Sequence, residues 1–272
     1  MVDWFKKVLN ENWEISAAGG MTGEAYVAAK GTERLFLKRN SSPFLAVLSA
    51  EGIVPKLVWT KRLDNGDVIT AQEWQEGRKL SPFEMQQHDV TAILQKIHHS
   101  SELLHMLMRL GKKPISADQQ LLAVSENLSL LQLPKRYETL NTSLQYLQQL
   151  LPVTASRKQV VCHGDIDHHN FLRAANGKLY LIDWDNALIG DPTMDYANIL
   201  HWYIPKEKWG VWLAQYGIEK DEYLLQRMYW YLVLDAMSYI AWHFERRQWG
   251  ELEKRLNHIQ SLNKEIKKWL MS

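Results

Sequence analysis

One stretch of the sequence, residues 160–185, constrains the fold most strongly. It contains an Asn176-Gly177 pair between two runs of strand-forming residues, and such a pair is typical of the type I′ turn of a β-hairpin. If these two residues form the loop, Asn170 and Asp183 face each other across the ladder, with Cβ atoms about 5 Å apart. An amide oxygen and a carboxylate at that separation suit a hard cation that also binds phosphates. The sequence therefore predicts a hairpin that carries a metal–phosphate site.

Three motifs in and after this stretch resemble those of one enzyme family. They are His163-x-Asp165 followed by Asn170, then Ile182-Asp183-Trp184-Asp185, then Gly190-Asp191-Pro192 followed by Asp195. In this order and spacing they resemble the aminoglycoside phosphotransferase and choline kinase family, whose fold is similar to that of protein kinases. Each motif alone would be a weak signal, and their combination is what carries the resemblance.

The resemblance implies a bilobal α+β protein. Its N-terminal lobe, residues 1–76, would hold a five-stranded antiparallel sheet and bind the nucleotide. Strand patterns at residues 13–18, 24–29, 34–38, 57–63 and 68–74 agree with that sheet. The larger C-terminal lobe, residues 77–272, would be mainly helical and would carry catalysis and acceptor binding.

The same resemblance implies roles for residues of the catalytic loop. Asp165 would accept the proton of the acceptor hydroxyl, while Asn170 and Asp183 would hold Mg²⁺ on ATP. His163 would brace the loop and transfer no proton. Asp195, at the start of a predicted helix, would support the loop through hydrogen bonds, a role compatible with its being a simple helix cap.

Candidate nucleotide contacts lie in the N-terminal lobe. A glycine-rich run between two predicted strands forms either a plain hairpin or a loop whose backbone N–H groups approach phosphates, and the motifs downstream favour the second. A later segment lies where the family presents backbone groups to adenine. The residues concerned are Gly19, Gly20, Met21, Thr22 and Gly23 in the loop, and Gln72, Glu73 and Trp74 in the later segment.

Lys38, on the third predicted strand, occupies the place of the lysine that pairs with nucleotide phosphates in the family. Kinases pair this lysine with a glutamate on the following helix, but residues 39–50 contain no carboxylate. Glu51 is the first acid after this segment, and it comes late for that role. Whether Glu51 replaces the usual partner stays open at this point.

Candidate acceptor contacts are the carboxylates of Asp165, Asp167 and Asp235. Asp167 stands where relatives often have histidine, and contact with either the acceptor or the metal is possible there. Asp235 interrupts an apolar helical segment, and a buried carboxylate needs a partner. The aromatic residues of the late helices are expected mainly in the core. In the family, however, the late helices line the acceptor pocket.

Composition excludes several other classes of protein. The chain has 272 residues, 46% of them hydrophobic, and a formal net charge of +1. These values predict a folded core and give no reason to expect binding to nucleic acid. No long apolar run suggests a membrane span or a signal peptide. The single cysteine, Cys162, is expected to be a buried filler and suits a reducing cytoplasm.

The predicted function is therefore an ATP- and Mg²⁺-dependent phosphotransferase acting on a hydroxyl of a small molecule. The whole chain, including residues 36–57 and 70–74, resembles a Gram-positive group of the family that includes a cell-cycle regulator kinase. That similarity implies a ribosyl or deoxyribosyl acceptor and protein partners in the cell-division machinery. The alternatives are a choline- or aminoglycoside-type kinase, a kinase-fold scaffold acting through protein partners, and a two-metal phosphoesterase using the acid and histidine cluster at residues 165–169.

Overall fold

The computed structural model describes residues 4–9, 12–18, 24–155 and 158–271. The chain divides into two compact units, the first comprising residues 1–111 and 167–187 and the second comprising residues 112–166 and 188–272. The chain thus passes from one unit to the other three times, whereas the predicted lobes meet once, at residues 76 and 77, and that boundary stays a prediction. Among the residues described, no helix is both long enough and apolar enough to cross a bilayer.

The strands and helices follow each other in mixed order. The strands are β1 (Glu14–Ala17), β2 (Ala25–Lys30), β3 (Glu33–Arg39), β4 (Leu57–Arg62), β5 (Val68–Glu73), β6 (Gly77–Lys79), β7 (Val160–Cys162), β8 (Phe171–Ala174), β9 (Leu179–Leu181) and β10 (Leu188–Gly190). The helices are α1 (Phe5–Val8), α2 (Phe44–Ala50), α3 (His88–His99), α4 (Ser101–Arg109), α5 (Ala117–Leu130), α6 (Leu133–Arg136), α7 (Glu138–Leu150), α8 (Thr193–Tyr203), α9 (Trp209–Tyr216), α10 (Glu222–Glu245) and α11 (Trp249–Leu270).

The first unit contains the predicted five-stranded antiparallel sheet, in the order β1-β2-β3-β5-β4. Successive side chains of a strand point to opposite faces, and β3 shows why this matters. Leu35 and Leu37 are buried on one face against Ala28 and the core residues of β5. Lys38, the next residue, therefore lies on the other face. Hydrophobic burial on one side of the sheet fixes the direction of the candidate lysine on the other.

The central hairpin, formed by β8 and β9, exists, but its predicted register is wrong by one residue. Phe171 pairs with Leu181, and the Ile182 N–H donates to the Asn170 carbonyl at 2.8 Å. Position 170 therefore faces 182 and not 183. The loop is one residue longer than a type I′ turn, and the Gly177 N–H donates to the Ala174 carbonyl at 2.9 Å.

The Asn176 side chain explains this longer loop. A type I′ turn needs positive φ at both central residues. Gly177 has φ of +84°, but Asn176 is not among the described residues with positive φ. Its side-chain oxygen accepts the Lys178 N–H at 3.0 Å instead, the local bond that Asn makes in many turns.

A second small sheet of the first unit has the order β6-β8-β9. Gly77 pairs with Ala174 where β6 meets β8. A Cβ atom at Gly77 would lie 2.2 Å from the Arg173 carbonyl oxygen, so only glycine fits without moving the strands. Beyond β6, Ser81 begins a short 3-10 turn closed by a hydrogen bond of 2.9 Å from the Ser81 N–H to Glu84.

The second unit is built around α10, whose inward face is aromatic. Trp230 is completely buried and donates its indole N–H to the Leu147 carbonyl of α7 at 2.8 Å. A buried pair, Ser143 of α7 and Asn263 of α11, joins those two helices through hydrogen bonds of 2.9 and 3.1 Å. The antiparallel pair β7 and β10 carries the catalytic-loop motif within this unit. Among the described aromatic residues from Trp202 onward, six are buried, five are half-buried and three, Trp202, Tyr223 and Trp249, are exposed. Fewer of them are therefore in the core than the sequence predicted.

We expect Gly77→Ala to destabilise the protein by roughly 1–3 kcal/mol, because the added methyl group overlaps backbone atoms of β8 and must force the strands apart. Urea unfolding followed by fluorescence measures the change. Gly210→Ala in α9 is the matched control, since a Cβ there meets nothing within 4 Å and alanine favours a helix. Equal stability of Gly77→Ala and the unsubstituted protein would contradict the assigned packing.

Candidate functional site

Lys38 places its ammonium group between two carboxylates of the first unit. Its Nζ lies 2.8 and 3.0 Å from the two carboxylate oxygens of Asp185 and 3.3 Å from Oδ1 of Asp183. Burial acts to lower the pKa of Lys38, but the hydrogen bonds and charges of Asp185 and Asp183 outweigh it and raise the pKa. The lysine therefore stays charged, and its position is fixed by the pair of acids.

Trp184 holds these two acids in place. Its ring is buried, donates its N–H to the Leu181 carbonyl at 2.8 Å and meets the ring of Phe44 edge-on at 5.7 Å. Asp183 has the left-handed φ of +67°, which Asp tolerates better than most residues. With Trp184 anchored, the side chains of Asp183 and Asp185 remain 54% and 59% exposed. Both carboxylates are thus accessible to a ligand from solvent.

Asn170 ends a short 3-10 turn beside the same hairpin. Its carbonyl accepts the Ile182 N–H, so its backbone lies one ladder position from Asp183. A metal ion belongs to the predicted function, and the residues fit one. Three carboxylate oxygens of Asp183 and Asp185 already surround the Lys38 ammonium, so this place stabilises positive charge, and oxygen donors are those that Mg²⁺ prefers.

In the second unit, Asp195 organises the backbone of the catalytic loop. Its two carboxylate oxygens accept the N–H groups of His163 at 2.9 Å and Gly164 at 3.0 Å. The His163 ring is buried, and its Nδ1 accepts the Asp165 N–H at 3.3 Å. Gly164 has φ of +77°, a conformation that favours glycine. These bonds explain locally why the His-Gly-Asp motif needs both its glycine and a distant acid.

The Asp165 carboxylate of the second unit accepts a hydrogen bond from the Tyr239 hydroxyl at 3.3 Å. The Arg255 guanidinium lies 4.5 Å from the centre of the Tyr239 ring. Burial, followed by the negative charges of Asp235 and Asp165, raises the pKa of Tyr239, so its hydroxyl keeps the proton it donates. Sequence reasoning gave neither Tyr239 nor Arg255 a role, because only the packing of α10 and α11 brings them to the loop.

Asp235 of α10 lines a cavity of about 90 Å³ in the second unit. The other polar groups of its wall are neutral and include the side chains of Gln120, Asn198 and Ser238. Burial raises the pKa of Asp235 to about 6; Arg255 opposes this rise and the Asp165 charge adds to it. Within the described part of the chain, no hydrogen bond or ion pair within 4 Å to the Asp235 carboxylate is found. This acid therefore lines the cavity without a hydrogen bond to any described protein group.

Residues 16–231 match the sequence profile of a family described as the phosphotransferase enzyme family. The chain belongs to this family. By this membership the protein is a phosphotransferase enzyme, as the sequence predicted.

Solved structures share the fold of this phosphotransferase at low sequence identity. The choline kinase LicA from Streptococcus pneumoniae is 19% identical, with a TM-score of 0.72 over 96% of each chain. The GDP complex of aminoglycoside 2'-phosphotransferase-IIIa is 16% identical, with a TM-score of 0.70 over 96% of each chain. The AMP-bound complex of spectinomycin phosphotransferase is 14% identical, with a TM-score of 0.69 over 94% of this chain and 96% of that one. These likenesses confirm the mixed α+β, kinase-like fold.

The structure answers the question about Glu51 in the phosphotransferase. Its Oε2 lies 3.6 Å from Nζ of Lys96, a residue of α3, while Lys38 pairs with Asp185 and Asp183. The acid that takes the usual glutamate's place in this structure is therefore Asp185, two residues after the predicted metal ligand. The sequence signal for this pairing is the Asp-x-Asp spacing within the motif at 182–185.

The remaining predicted nucleotide contacts are only partly described. The loop formed by Gly19, Gly20, Met21, Thr22 and Gly23 lies outside the described residues, so its phosphate role stays a prediction. Gln72 is buried and donates to the Pro55 carbonyl at 2.8 Å. The N–H groups of Glu73 and Trp74 donate to the carbonyls of Lys56 at 2.8 Å and Arg34 at 3.2 Å. Adenine contacts at residues 72–74 stay a prediction as well.

Asp167 of the phosphotransferase is engaged with its neighbours. Its Oδ1 accepts the His169 N–H at 2.8 Å and lies 2.6 Å from Nδ1 of the same histidine. The structure thus groups the predicted residues within units. The first unit holds Lys38, Asp183 and the Asn170 backbone. The second unit holds His163, Asp165 and helix α10, which carries Asp235.

We expect Asp235→Asn to change how stability depends on pH. The folded protein holds the Asp235 proton more tightly than the unfolded chain does, so the stabilisation is complete below about pH 4 and is lost as pH rises through about 6. Asparagine cannot ionise. Relative to the unsubstituted protein, the variant should gain stability mainly between about pH 4 and about pH 7, by up to roughly 3 kcal/mol.

Urea unfolding at a series of pH values measures this change. Asp118→Asn, on the exposed start of α5, is the control and should leave the pH dependence unaltered. Parallel stability curves for Asp235→Asn and the unsubstituted protein would show that Asp235 titrates normally in the fold.

Proposed function

We propose that this phosphotransferase is an ATP- and Mg²⁺-dependent kinase that transfers the γ-phosphate to a hydroxyl group of a small molecule. The observation that carries the proposal is the Lys38 ammonium held between Asp183 and Asp185 in a chain of this family. Structures with the same fold and bound AMP or GDP support nucleotide binding. A charged lysine beside accessible carboxylates is the arrangement that phosphoryl transfer from a metal-bound nucleotide requires.

Mg²⁺ would be held by Asp183, Asp185 and the amide oxygen of Asn170. When bound, the ion neutralises charge on the phosphates of the nucleotide. The chain's own contribution is to keep Asp183 and Asp185 close together and to keep Lys38 protonated. Lys38 is then available to pair with a phosphate oxygen in place of a carboxylate. We assign Asp185 a role in the metal site alongside the two residues that the sequence predicted.

Asp165 is proposed as the base. Its carboxylate takes the proton of the acceptor hydroxyl, the hydroxyl oxygen forms a bond to the γ-phosphorus, and the bond from that phosphorus to ADP breaks. The Tyr239 hydroxyl holds one oxygen of the carboxylate, while His163 and Asp195 fix the loop backbone. His163 transfers no proton in this scheme, because its Nδ1 is used to accept the Asp165 N–H.

Asp165→Asn should bind Mg-ATP normally but lose turnover by about 10²- to 10⁴-fold, since the amide keeps the shape of the side chain but cannot take a proton. Thermal unfolding with and without Mg-ATP measures binding, and release of ADP measures turnover. The matched comparison is Asp183→Asn, which should lose the stabilisation by Mg-ATP as well as activity. Full turnover by Asp165→Asn would exclude Asp165 as the base.

The proposed acceptor is a neutral, hydroxyl-rich molecule of the ribosyl or deoxyribosyl class. The cavity at Asp235 presents amide and hydroxyl groups, which suit hydroxyls, and it has a single carboxyl in its wall. A polycationic aminoglycoside would need more negative charge than this. A quaternary ammonium is bound best between several aromatic faces, whereas the described lining of this cavity contains one aromatic residue, Tyr231. Asp235 is thus best suited to pair with a hydroxyl of the acceptor. Asp167 remains a further candidate contact of the acceptor.

Two wider proposals follow from the similarity to the Gram-positive cell-cycle regulator group. One is a role in cell-cycle control with protein partners in the division machinery. The other is a cytoplasmic location, where ATP is supplied and the buried Cys162 thiol, whose pKa burial raises, stays reduced. A pure scaffold is the less favoured alternative, because it would not need Lys38, Asp183 and Asp185 to converge.

A panel of acceptors tests the substrate class. Release of ADP should be fastest with ribose, deoxyribose or their nucleosides and much slower with choline or an aminoglycoside. Asp235→Asn should raise the KM for the preferred acceptor and leave the KM for ATP unchanged, because Asp235 belongs to the second unit and the nucleotide residues belong to the first. Preference for choline or an aminoglycoside would refute the acceptor class while leaving the kinase assignment intact.

A further inference from the structure

Asp167, His168 and His169 form a compact side-chain cluster outside the residues that carry the proposed phosphoryl transfer. The Nδ1 atoms of His169 and His168 lie 2.6 and 3.3 Å from the same carboxylate oxygen of Asp167. The two imidazole rings approach each other with centroids 3.8 Å apart. One potential ligand atom from each residue lies within 4.8 Å of the other two. Two nitrogens and one oxygen therefore converge from three consecutive residues.

We propose that this cluster binds a transition-metal ion of the Zn²⁺ class. Imidazole nitrogens suit Zn²⁺, Co²⁺, Ni²⁺ and Cu²⁺, whereas Mg²⁺ prefers oxygen donors throughout. Zn²⁺ binds histidine nitrogen and carboxylate oxygen at about 2.0–2.2 Å, which places neighbouring ligand atoms roughly 3–3.5 Å apart. The two Asp167–histidine separations, 2.6 and 3.3 Å, need only small rotations to reach that spacing.

The backbone already holds the cluster in this arrangement. The Asp167 carboxylate caps the short turn by accepting the His169 N–H at 2.8 Å, and the Asp167 carbonyl accepts the Asn170 N–H at 2.9 Å. A site that is formed before the ion arrives binds with less loss of entropy. The ion takes the place of the proton between His169 and Asp167, and the neutral imidazole then carries its proton on Nε2.

The cluster is also open to an entering ion. The His169 side chain is 71% exposed and the Asp167 side chain 42% exposed, while His168 is largely covered at 18%. Water can therefore complete the coordination shell beside three protein ligands, as it does in many open zinc sites. The inference stands on these residues alone and does not depend on the proposed kinase activity.

Co²⁺ binding tests the proposal, because a protein-bound Co²⁺ ion with nitrogen ligands has a visible absorption band. The full chain is titrated with Co²⁺ in excess Mg²⁺, which occupies the oxygen-donor position at Asp183. We expect one Co²⁺ per chain, displaced by Zn²⁺. His169→Gln and Asp167→Asn should each weaken binding by at least about tenfold, since loss of a direct ligand costs no less than loss of a supporting residue.

Two controls make the result specific. His99→Gln removes another exposed histidine, whose Nδ1 is bonded to the Gln95 carbonyl, and should bind Co²⁺ as the unsubstituted chain does. Asp183→Asn should also retain the band. Thermal unfolding without metal checks that each variant is folded. Absence of a band, equal binding by His169→Gln and His99→Gln, or loss of the band only in Asp183→Asn would each overturn the proposed site.

Discussion

The ion pairs of Lys38 with Asp183 and Asp185 are the interaction on which the candidate nucleotide site depends. They join the five-stranded sheet to the turn after the β8–β9 hairpin, and these two parts of the first unit are far apart in sequence. Each side is fixed by apolar packing, by Leu35 and Leu37 under the lysine and by Trp184 between the acids. Because apolar packing also holds these charged residues in place, a ligand can replace one partner of an ion pair without unfolding the turn.

Two acids of the second unit illustrate opposite uses of a carboxylate within a protein. Asp195 is buried and accepts backbone N–H groups from His163 and Gly164 with both oxygens. Such bonds compensate the cost of burial, so Asp195 contributes to structure. Asp235 receives no comparable bond from the described residues, and burial raises its pKa to about 6. An acid that titrates close to neutral pH beside a cavity is suited to recognising a hydroxyl group.

Much of this protein could be read from local patterns. The five-stranded sheet follows from alternating apolar residues and turn pairs, and the catalytic motifs give the family. The hairpin register could not be read in the same way, because the choice between a two-residue and a longer loop rests on one hydrogen bond of the Asn176 side chain. Likewise, the sequence leaves open whether Glu51 pairs with Lys38, and only the fold places Lys96 beside Glu51.

By itself the sequence indicated the strands, through hydrophobic periodicity and turn pairs, and its motifs indicated the family. The resemblance to that family in turn implied the fold class and pointed to Lys38, Asp165 and Asp183 as candidate site residues. Tertiary structure alone decided which charges meet. Asp185 reaches Lys38, and Tyr239 reaches Asp165, across separations of 147 and 74 residues. Electrostatic and hydrogen-bond energies depend on distances of a few ångströms, and for residues so far apart in the chain those distances are set by how the helices and strands pack.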